Sequence, residues 1–194
     1  MSELKAEVAH YRGELEKRDD EIDQLRDKVD DLEQYSRRNC IRINNVPELD
    51  GEDTDSVIKA VGKAVGVELT DAMLDRSHRV GRRPGPGDTY SRAIICKFAS
   101  YRFKSALMRS KKTLAKTDAK KILPDRAWAA ARTPTQVFIN DDLTQVRSEL
   151  AAKARKLKKD KKFEETWVRD GTIFVKRGSA VTRVTTMRNL LALI

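Results

Sequence analysis

Residues 22–44 read IDQLRDKVDDLEQYSRRNCIRIN, and within them the repeat of an α-helix gives way to the alternation of a β-strand. Apolar residues recur three and four positions apart up to Leu32, which is the spacing that keeps one stripe facing a partner helix in a coiled coil. The same spacing runs back to Met1, with Arg18 as its polar interruption. The sequence therefore predicts an N-terminal coiled coil over residues 1–36.

Charges beside the apolar stripe indicate that its partner is another copy of the chain. The positions that border the stripe carry opposite charges in successive heptads, as in Glu21 and Arg26, and such pairs stabilise association between helices. An amphipathic helix packed on its own domain is the alternative. The stripe uses two positions of each heptad. Valine and isoleucine at the first of them with leucine at the second favour a parallel dimer. The residues expected to make the contact are Val8, Leu15, Ile22, Leu25, Lys28, Val29, Leu32 and Glu33.

After the seam, residues 40–46 alternate apolar and polar side chains and end at Pro47, which predicts a strand. Further strands are predicted over residues 77–80, 92–98 and 137–139, and helices over residues 54–65, capped by Asp53, and 101–114. The order β-α-β-β-α-β predicts one antiparallel sheet with both helices on one face. Its open face is where such folds bind single-stranded RNA. The predicted domain covers residues 37–142, within which residues 116–136 give no clear pattern.

Residues 143–194 predict a second, smaller α+β domain. Asp142 and Thr144 are the two candidate N-caps of a basic helix that extends to about residue 162. Asp170-Gly171 between two β-rich runs predicts a hairpin, and residues 186–194 predict a short apolar helix. The predicted fold class is therefore α+β, with an N-terminal coiled coil, a β-α-β-β-α-β sheet and a small C-terminal domain.

The composition favours a protein that binds a polyanion. The 194 residues include 40 Lys and Arg against 30 Asp and Glu, a formal net charge of +10. Such an excess attracts nucleic acid or an acidic membrane surface, with general solubility as the plainer explanation. Cys40 and Cys96 have no metal-ligand spacing and are expected to be buried as small apolar residues. Because no apolar run is long enough to span a bilayer and no signal-peptide core occurs, we expect neither secretion nor membrane insertion.

Clusters of basic residues mark the expected nucleic-acid interface, because Lys and Arg neutralise phosphates and release counterions. They occur at the end of the coil, on the open sheet face, beside a Gly/Pro-rich loop and on the basic helix. For each cluster a solvated surface is the alternative. Trp128 and Trp167 are candidates for base stacking, with packing in a core as the alternative. The candidate contacts are Arg37, Arg38, Arg42, Arg79, Arg82, Arg83, Lys97, Arg147, Arg155, Lys158 and Lys159.

An enzyme, such as a metal-dependent nuclease, needs clustered carboxylates or a His/Lys acid–base pair. His10 lies in the predicted coil and His78 stands alone, while helix capping explains Asp141 and Asp142. A coiled-coil DNA-binding regulator of the basic-zipper type would carry its basic helix before the zipper, whereas here the basic residues follow it. We therefore expect no enzymatic activity, no metal, no cofactor and no small-molecule substrate.

Five segments resemble, in the same order, segments of the first-open-reading-frame proteins of LINE-type non-LTR retrotransposons. They are LEQYSRRNCIRINNVPE at 32–48, SHRVG at 77–81, IICKF at 94–98, VFINDDLT at 137–144 and WVRDGTIFVK at 167–176. The resemblance implies a coiled coil, a divergent RNA recognition motif (RRM) and a small C-terminal domain that binds nucleic acid. It also implies homotrimers that coat the element's RNA as chaperones, in a cytoplasmic ribonucleoprotein that also reaches the nucleus.

Two details of this resemblance bear on stoichiometry and on the mode of binding. Residues 28–33, KVDDLE, fit the heptad pattern of the family's trimers, with Lys28 where arginine is usual, so a trimer is favoured over a dimer. Arg42, Ala93 and Ile95 stand where aromatic residues of an RRM would stack on bases. We therefore expect contact with the phosphate backbone of single-stranded RNA, and of DNA, rather than base stacking on this sheet.

Overall fold

The chain folds as α+β, with a long N-terminal helix followed by two antiparallel sheets. The structure is a computed structural model and describes residues 2–85, 88, 90–114, 116–126 and 136–194. The predicted class α+β is confirmed, as is the helical character of the N-terminal segment. Trp128, one of the two predicted stacking residues, lies outside the described residues.

The N-terminal helix α1 (Ser2–Ser36) leaves its apolar stripe exposed. Leu25, Val29 and Leu32 retain 52%, 62% and 70% of their accessible surface. A helix of this length with an uncovered apolar stripe gains little from its own packing, because most helical stability comes from burial of such a face. The predicted coil contact therefore stays a prediction about a second copy, and packing on its own domain does not occur along this stripe.

The first sheet contains four strands, in the spatial order β2-β3-β1-β4, and every adjacent pair is antiparallel. Its residues lie between the end of α1 and Asp141. The elements are β1 (Cys40–Asn44), α2 (Thr54–Ala64), a 3-10 turn (Asp71–Met73), β2 (Leu74–Val80), β3 (Ala93–Phe98), α3 (Tyr101–Leu114), α4 (Ala119–Ile122) and β4 (Phe138–Asp141).

Strand alternation divides this sheet into a covered face and an open face. Ile41, Ile43 and Phe98 are fully buried in one hydrophobic cluster with residues of α2 and α3, and burial of each such side chain contributes about 1.5–3 kcal/mol. The neighbouring residues Arg42 and Lys97 point the other way and remain partly or fully exposed. The helices therefore cover one face and leave the other, which carries Arg42 and Lys97, open.

Local signals correctly predicted most boundaries of this region. Asp53 caps α2 by accepting hydrogen bonds from the amides of Asp55 and Ser56, as predicted. The unclear segment after α3 contributes the short helix α4, and residues 127–135 within it lie outside the described residues. Cys40 and Cys96 are both buried and free, and burial raises the pKa of the Cys96 thiol to about 12.

The second sheet has three antiparallel strands in the order β5-β6-β7, packed against α5. Its Asp170-Gly171 turn has φ values of +51° and +73°, as the predicted two-residue hairpin requires. Strand β7 was not predicted, and Thr144 rather than Asp142 caps α5. The elements are α5 (Gln145–Lys159), β5 (Glu165–Arg169), β6 (Thr172–Arg177), β7 (Ala180–Val184) and α6 (Met187–Leu191). Among the described helices, none is long and apolar enough to cross a bilayer.

Candidate nucleic-acid interface

The last turns of α1 hold the N-terminal end of α5. Arg147 donates from Nε to Asp30 Oδ2 at 2.7 Å and from Nη2 to Asp31 Oδ1 at 2.5 Å. Its Nη1 donates to the carbonyl oxygen of Gly171 at 3.0 Å. One guanidinium group therefore joins α1, α5 and the β5–β6 turn.

Gln34 completes this junction from the next turn of α1. Its buried side chain donates to the carbonyl oxygen of Asp142 at 2.9 Å and accepts from the amide of Thr144 at 3.0 Å. A Cβ added at Gly171 would lie 2.6 Å from Gln34 Nε2 and would displace that side chain, and the φ of +73° also favours glycine. We call the contacts of Arg147 and Gln34 with these partners the clasp.

The clasp uses the side of α1 opposite to its apolar stripe. With Val29 at heptad position a, the clasp residues Asp30, Asp31 and Gln34 occupy b, c and f, which face outward in a coiled coil. Over the same two turns Val29 and Leu32 are exposed. The second sheet and α5 are thus attached without obstructing the surface that a second copy would use.

Two predicted phosphate contacts are wrong, because their charges are buried and satisfied within the chain. The Arg79 side chain is only 4% exposed and pairs with Glu52, and it also donates to the carbonyl oxygens of Val46 and Pro47. Arg147 is buried in the clasp. Each holds parts of the fold together and has no surface to offer a ligand.

Asp142 positions two other predicted arginines where the first sheet meets the start of α5. Arg37 Nη1 lies 2.8 Å from Asp142 Oδ2, and Arg42 donates to Oδ1 from Nε at 3.1 Å and Nη2 at 2.9 Å. Arg37 also contacts Glu33 at 2.5 Å. Burial lowers the pKa of Arg37, but its bonds to these two carboxylates outweigh that effect and hold the pKa above its usual value. Both side chains stay about one-third exposed, so their outward N–H groups can still donate.

A cleft lies between the open face of the first sheet and α5. It comprises a cavity of about 800 Å³ and a second of about 290 Å³, and both are lined by Asn140, Asp141, Leu143 and Arg155. Arg37 and Arg42 line the larger cavity, whereas Lys111 and Trp167 line the smaller one. Asp141 is neutralised by the buried Lys104 at 2.6 Å. The basic side chains that border the cleft are Arg37, Arg42, Lys111 and Arg155.

Five of the predicted cations have exposed side chains: Arg38, Lys97, Arg155, Lys158 and Lys159. Arg155, Lys158 and Lys159 project from α5, and within the described part of the chain none of them has an ion-pair partner. Lys97 on the open face contacts Asp75 at 2.7 Å, and both side chains are about half exposed. Arg38 lies over the ring of Tyr35 at 4.2 Å. A phosphate could replace the present partner of such a cation at little cost in folding stability, because exposed ion pairs contribute only about 0–1 kcal/mol.

Arg82 and Arg83 lie away from the coil junction. Strand register pairs Cys40 with Lys97 at the coil end of the first sheet and Val80 with Ala93 at the other end, and the loop that carries both arginines follows Val80. Arg82 pairs with Asp88 at 3.4 Å and Arg83 pairs with Asp50, both in solvent. The structure does not bring them together with the residues of the cleft.

Several polar residues of the interface were not predicted. Arg76 lies on the open face opposite Lys97, and it was missed because β2 begins at Leu74, three residues before its predicted start. Asn140 and Lys111 follow no motif, since only the fold brings β4 and the end of α3 to the cleft. Strand β2 reads LDRSHRV, without apolar alternation, and a β-bulge lies between Leu74 and Arg76, so no sequence signal marks Arg76.

No group of three or more His, Cys, Asp or Glu side chains that could hold a metal ion occurs among the described residues. No protein-family model matches the chain, and no curated protein matches it.

Proposed function

We propose that the chain is a self-associating protein that binds single-stranded RNA, and DNA, in the cleft between its first sheet and α5. The observation that carries this proposal is the set of basic side chains around that cleft: Arg37, Arg42, Lys111 and Arg155. A basic groove of this kind tracks the phosphate backbone of a single strand, and its affinity comes from counterion release.

The arrangement of the first sheet supports an RRM-like assignment. Its strand order and the packing of α2 and α3 on one face fit a split βαβ unit, and these two helices leave the other face uncovered. Arg42, Ala93 and Ile95 occupy that face where an RRM would carry aromatic residues. The proposed contact with this sheet is therefore with phosphates and sugars rather than with stacked bases.

Self-association is the second part of the proposal. The exposed stripe of α1 fits another copy of the same helix, and the clasp leaves that stripe free. The resemblance of residues 28–33 to the heptads of trimeric relatives favours three copies over two. A trimer that coats an element's RNA, with chaperone-like activity in a cytoplasmic ribonucleoprotein, is the role that these features support together.

Replacement of basic side chains of the cleft by neutral ones tests the proposed binding site. The double variant Lys111→Gln/Arg155→Gln is compared with Lys63→Gln/Lys120→Gln, which has the same net charge but alters exposed residues of α2 and α4 on the covered side. Affinity for single-stranded RNA is measured over a range of salt concentrations. We expect the cleft variant alone to lose affinity. The slope of its log binding constant against log salt concentration should fall in magnitude by about 1.4, because each phosphate contact to a single strand contributes about 0.7 to that slope.

Equal losses in the two variants would contradict the assignment to the cleft. A wild-type protein that ignores oligonucleotides at low salt would contradict RNA binding altogether. The same samples, incubated with Mg²⁺ and examined for cleavage of RNA and DNA, test the nuclease alternative.

A further inference from the structure

Two aromatic side chains face each other on the outer face of the second sheet. Trp167 on β5 and Phe174 on β6 are directly opposed in register, with ring centroids 5.6 Å apart and ring planes 10° apart. The Arg169 guanidinium lies 5.3 Å from the centre of the Phe174 ring. This is an ordered stack of rings and cation on a surface, whereas the first sheet carries no such group at its centre.

The stack is not part of the core beneath this sheet. Ile173 and Val175, which alternate with Phe174 along β6, point inward and are buried against α5. Trp167 and Phe174 belong neither to that cluster nor to the apolar residues packed around it, and both stay partly exposed. The aromatic pair therefore lies on the surface of the sheet, outside its buried core.

Trp167 also borders the smaller cavity of the cleft. β5 is an edge strand of the second sheet, and β4 is an edge strand of the first. The cavity between them, of about 290 Å³, is lined by Trp167 on one side and by Asn140 and Lys111 on the other, with Arg155 alongside. An aromatic ring, a side-chain amide and two cations thus surround one space.

We infer that this cavity is a subsite for an unpaired nucleobase, with Trp167 as its stacking surface. The inference rests on the proposed function. Stacking on tryptophan accepts any base, because every base has a π-face. The Asn140 amide can both donate and accept a hydrogen bond at the edge of that base, and Lys111 and Arg155 neutralise the phosphates on either side. The second sheet thereby supplies the base contact that the first sheet lacks.

The fluorescence of Trp167 reports on this contact directly. The chain has two tryptophans, so the full-length Trp128→Phe variant leaves Trp167 as the only one. It is titrated at fixed low salt with a single-stranded uridine oligomer and with an abasic oligomer of the same number of phosphates. We expect the uridine strand to quench the emission of Trp167 and the abasic strand to leave it unchanged.

Affinity provides the second measurement. Trp167→Leu should bind the uridine strand about ten-fold more weakly, because it loses one stacked base, and should bind the abasic strand as the wild type does. Trp167→Phe keeps an aromatic ring and should therefore keep most of the wild-type affinity for the uridine strand. Circular dichroism verifies that these variants fold, and the Trp128→Phe titration gives an answer even where they do not.

The outcomes separate this inference from the proposed function. Tight binding of both strands with unchanged Trp167 emission would overturn the stacking subsite and leave RNA binding in place. Failure of the wild-type chain to bind either strand would overturn both.

Discussion

Glu52 lies almost fully buried between two arginines that come from distant parts of the chain. Arg79 Nε approaches Glu52 Oε1 at 2.5 Å, and Arg126 donates to the other carboxylate oxygen. Burial raises the pKa of Glu52, but the two guanidinium groups outweigh that effect and hold the pKa below its ordinary value of 4.5. The carboxylate therefore stays charged at neutral pH and compensates two buried positive charges.

The variant Glu52→Gln should be less stable by about 3 kcal/mol near neutral pH, because two buried arginines lose their counter-charge. A carboxyl group with a depressed pKa stabilises the folded state fully above its unfolded pKa, and this contribution disappears as the pH falls through the folded pKa. The difference in free energy of unfolding between wild type and variant should therefore decrease below about pH 4.5. Urea unfolding at several pH values measures it, with the exposed Glu68→Gln as control; a gap independent of pH would contradict this role of the Glu52 carboxylate.

Buried arginines are the residues that sequence reasoning placed worst. Arg79 and Arg147 have the same local signature as the solvated arginines, but their acidic partners Glu52 and Asp30 are 27 and 117 residues away. Sequence alone cannot show which carboxylate a cation will meet, because that depends on the register of sheets and helices. Arg155 is exposed, as a phosphate contact requires, and its role as such a contact stays a prediction.

For helices and strands, the features that depend only on neighbouring residues were predicted correctly. The Asp53 cap, the Asp170-Gly171 turn and the alternation of β1 and β3 each depend on neighbouring residues, and each is confirmed. Strand β7 was missed because Val184 is its one fully buried apolar residue, so its sequence has too little alternation to stand out. The clasp could not be predicted, since it joins α1 to residues more than 100 positions away, at the start of α5.

The apolar stripe of α1 is the element with the sharpest prediction. Leu25→Lys places a charge in the seam and should raise the concentration at which the chain associates by about ten-fold or more, because each buried leucine contributes about 1.5–3 kcal/mol. Gln24→Lys adds the same charge on the neighbouring outward position and should have little effect. Light scattering over a series of protein concentrations measures both, and a wild-type chain that stays monomeric throughout would refute self-association.

If the proposed function is correct, α1 acts in the assembled protein on two separate sides, one toward α5 and one toward another copy. Asp30, Asp31 and Gln34 contact residues at the start of α5, which borders the cleft, while the stripe that includes Leu25 and Val29 is exposed. Removal of the whole helix would damage both. Point variants of the stripe are therefore the proper test of how association contributes to RNA binding, because they leave the clasp and the cleft intact.

Linked copies should bind a long strand far more tightly than a short one. Once one cleft is occupied, the next binds the same strand at a high effective concentration, which strengthens binding by about 10² or more without any new contact. For RNA long enough to reach several clefts, the affinity of Leu25→Lys should therefore be lower than that of the wild type by about this factor. For an oligomer that fills a single cleft, the variant should keep wild-type affinity. Fluorescence anisotropy with both RNAs at one salt concentration measures the difference. Equal losses on the two RNAs would mean that the stripe acts on the cleft itself, and unchanged affinity for the long RNA would mean that the copies bind independently.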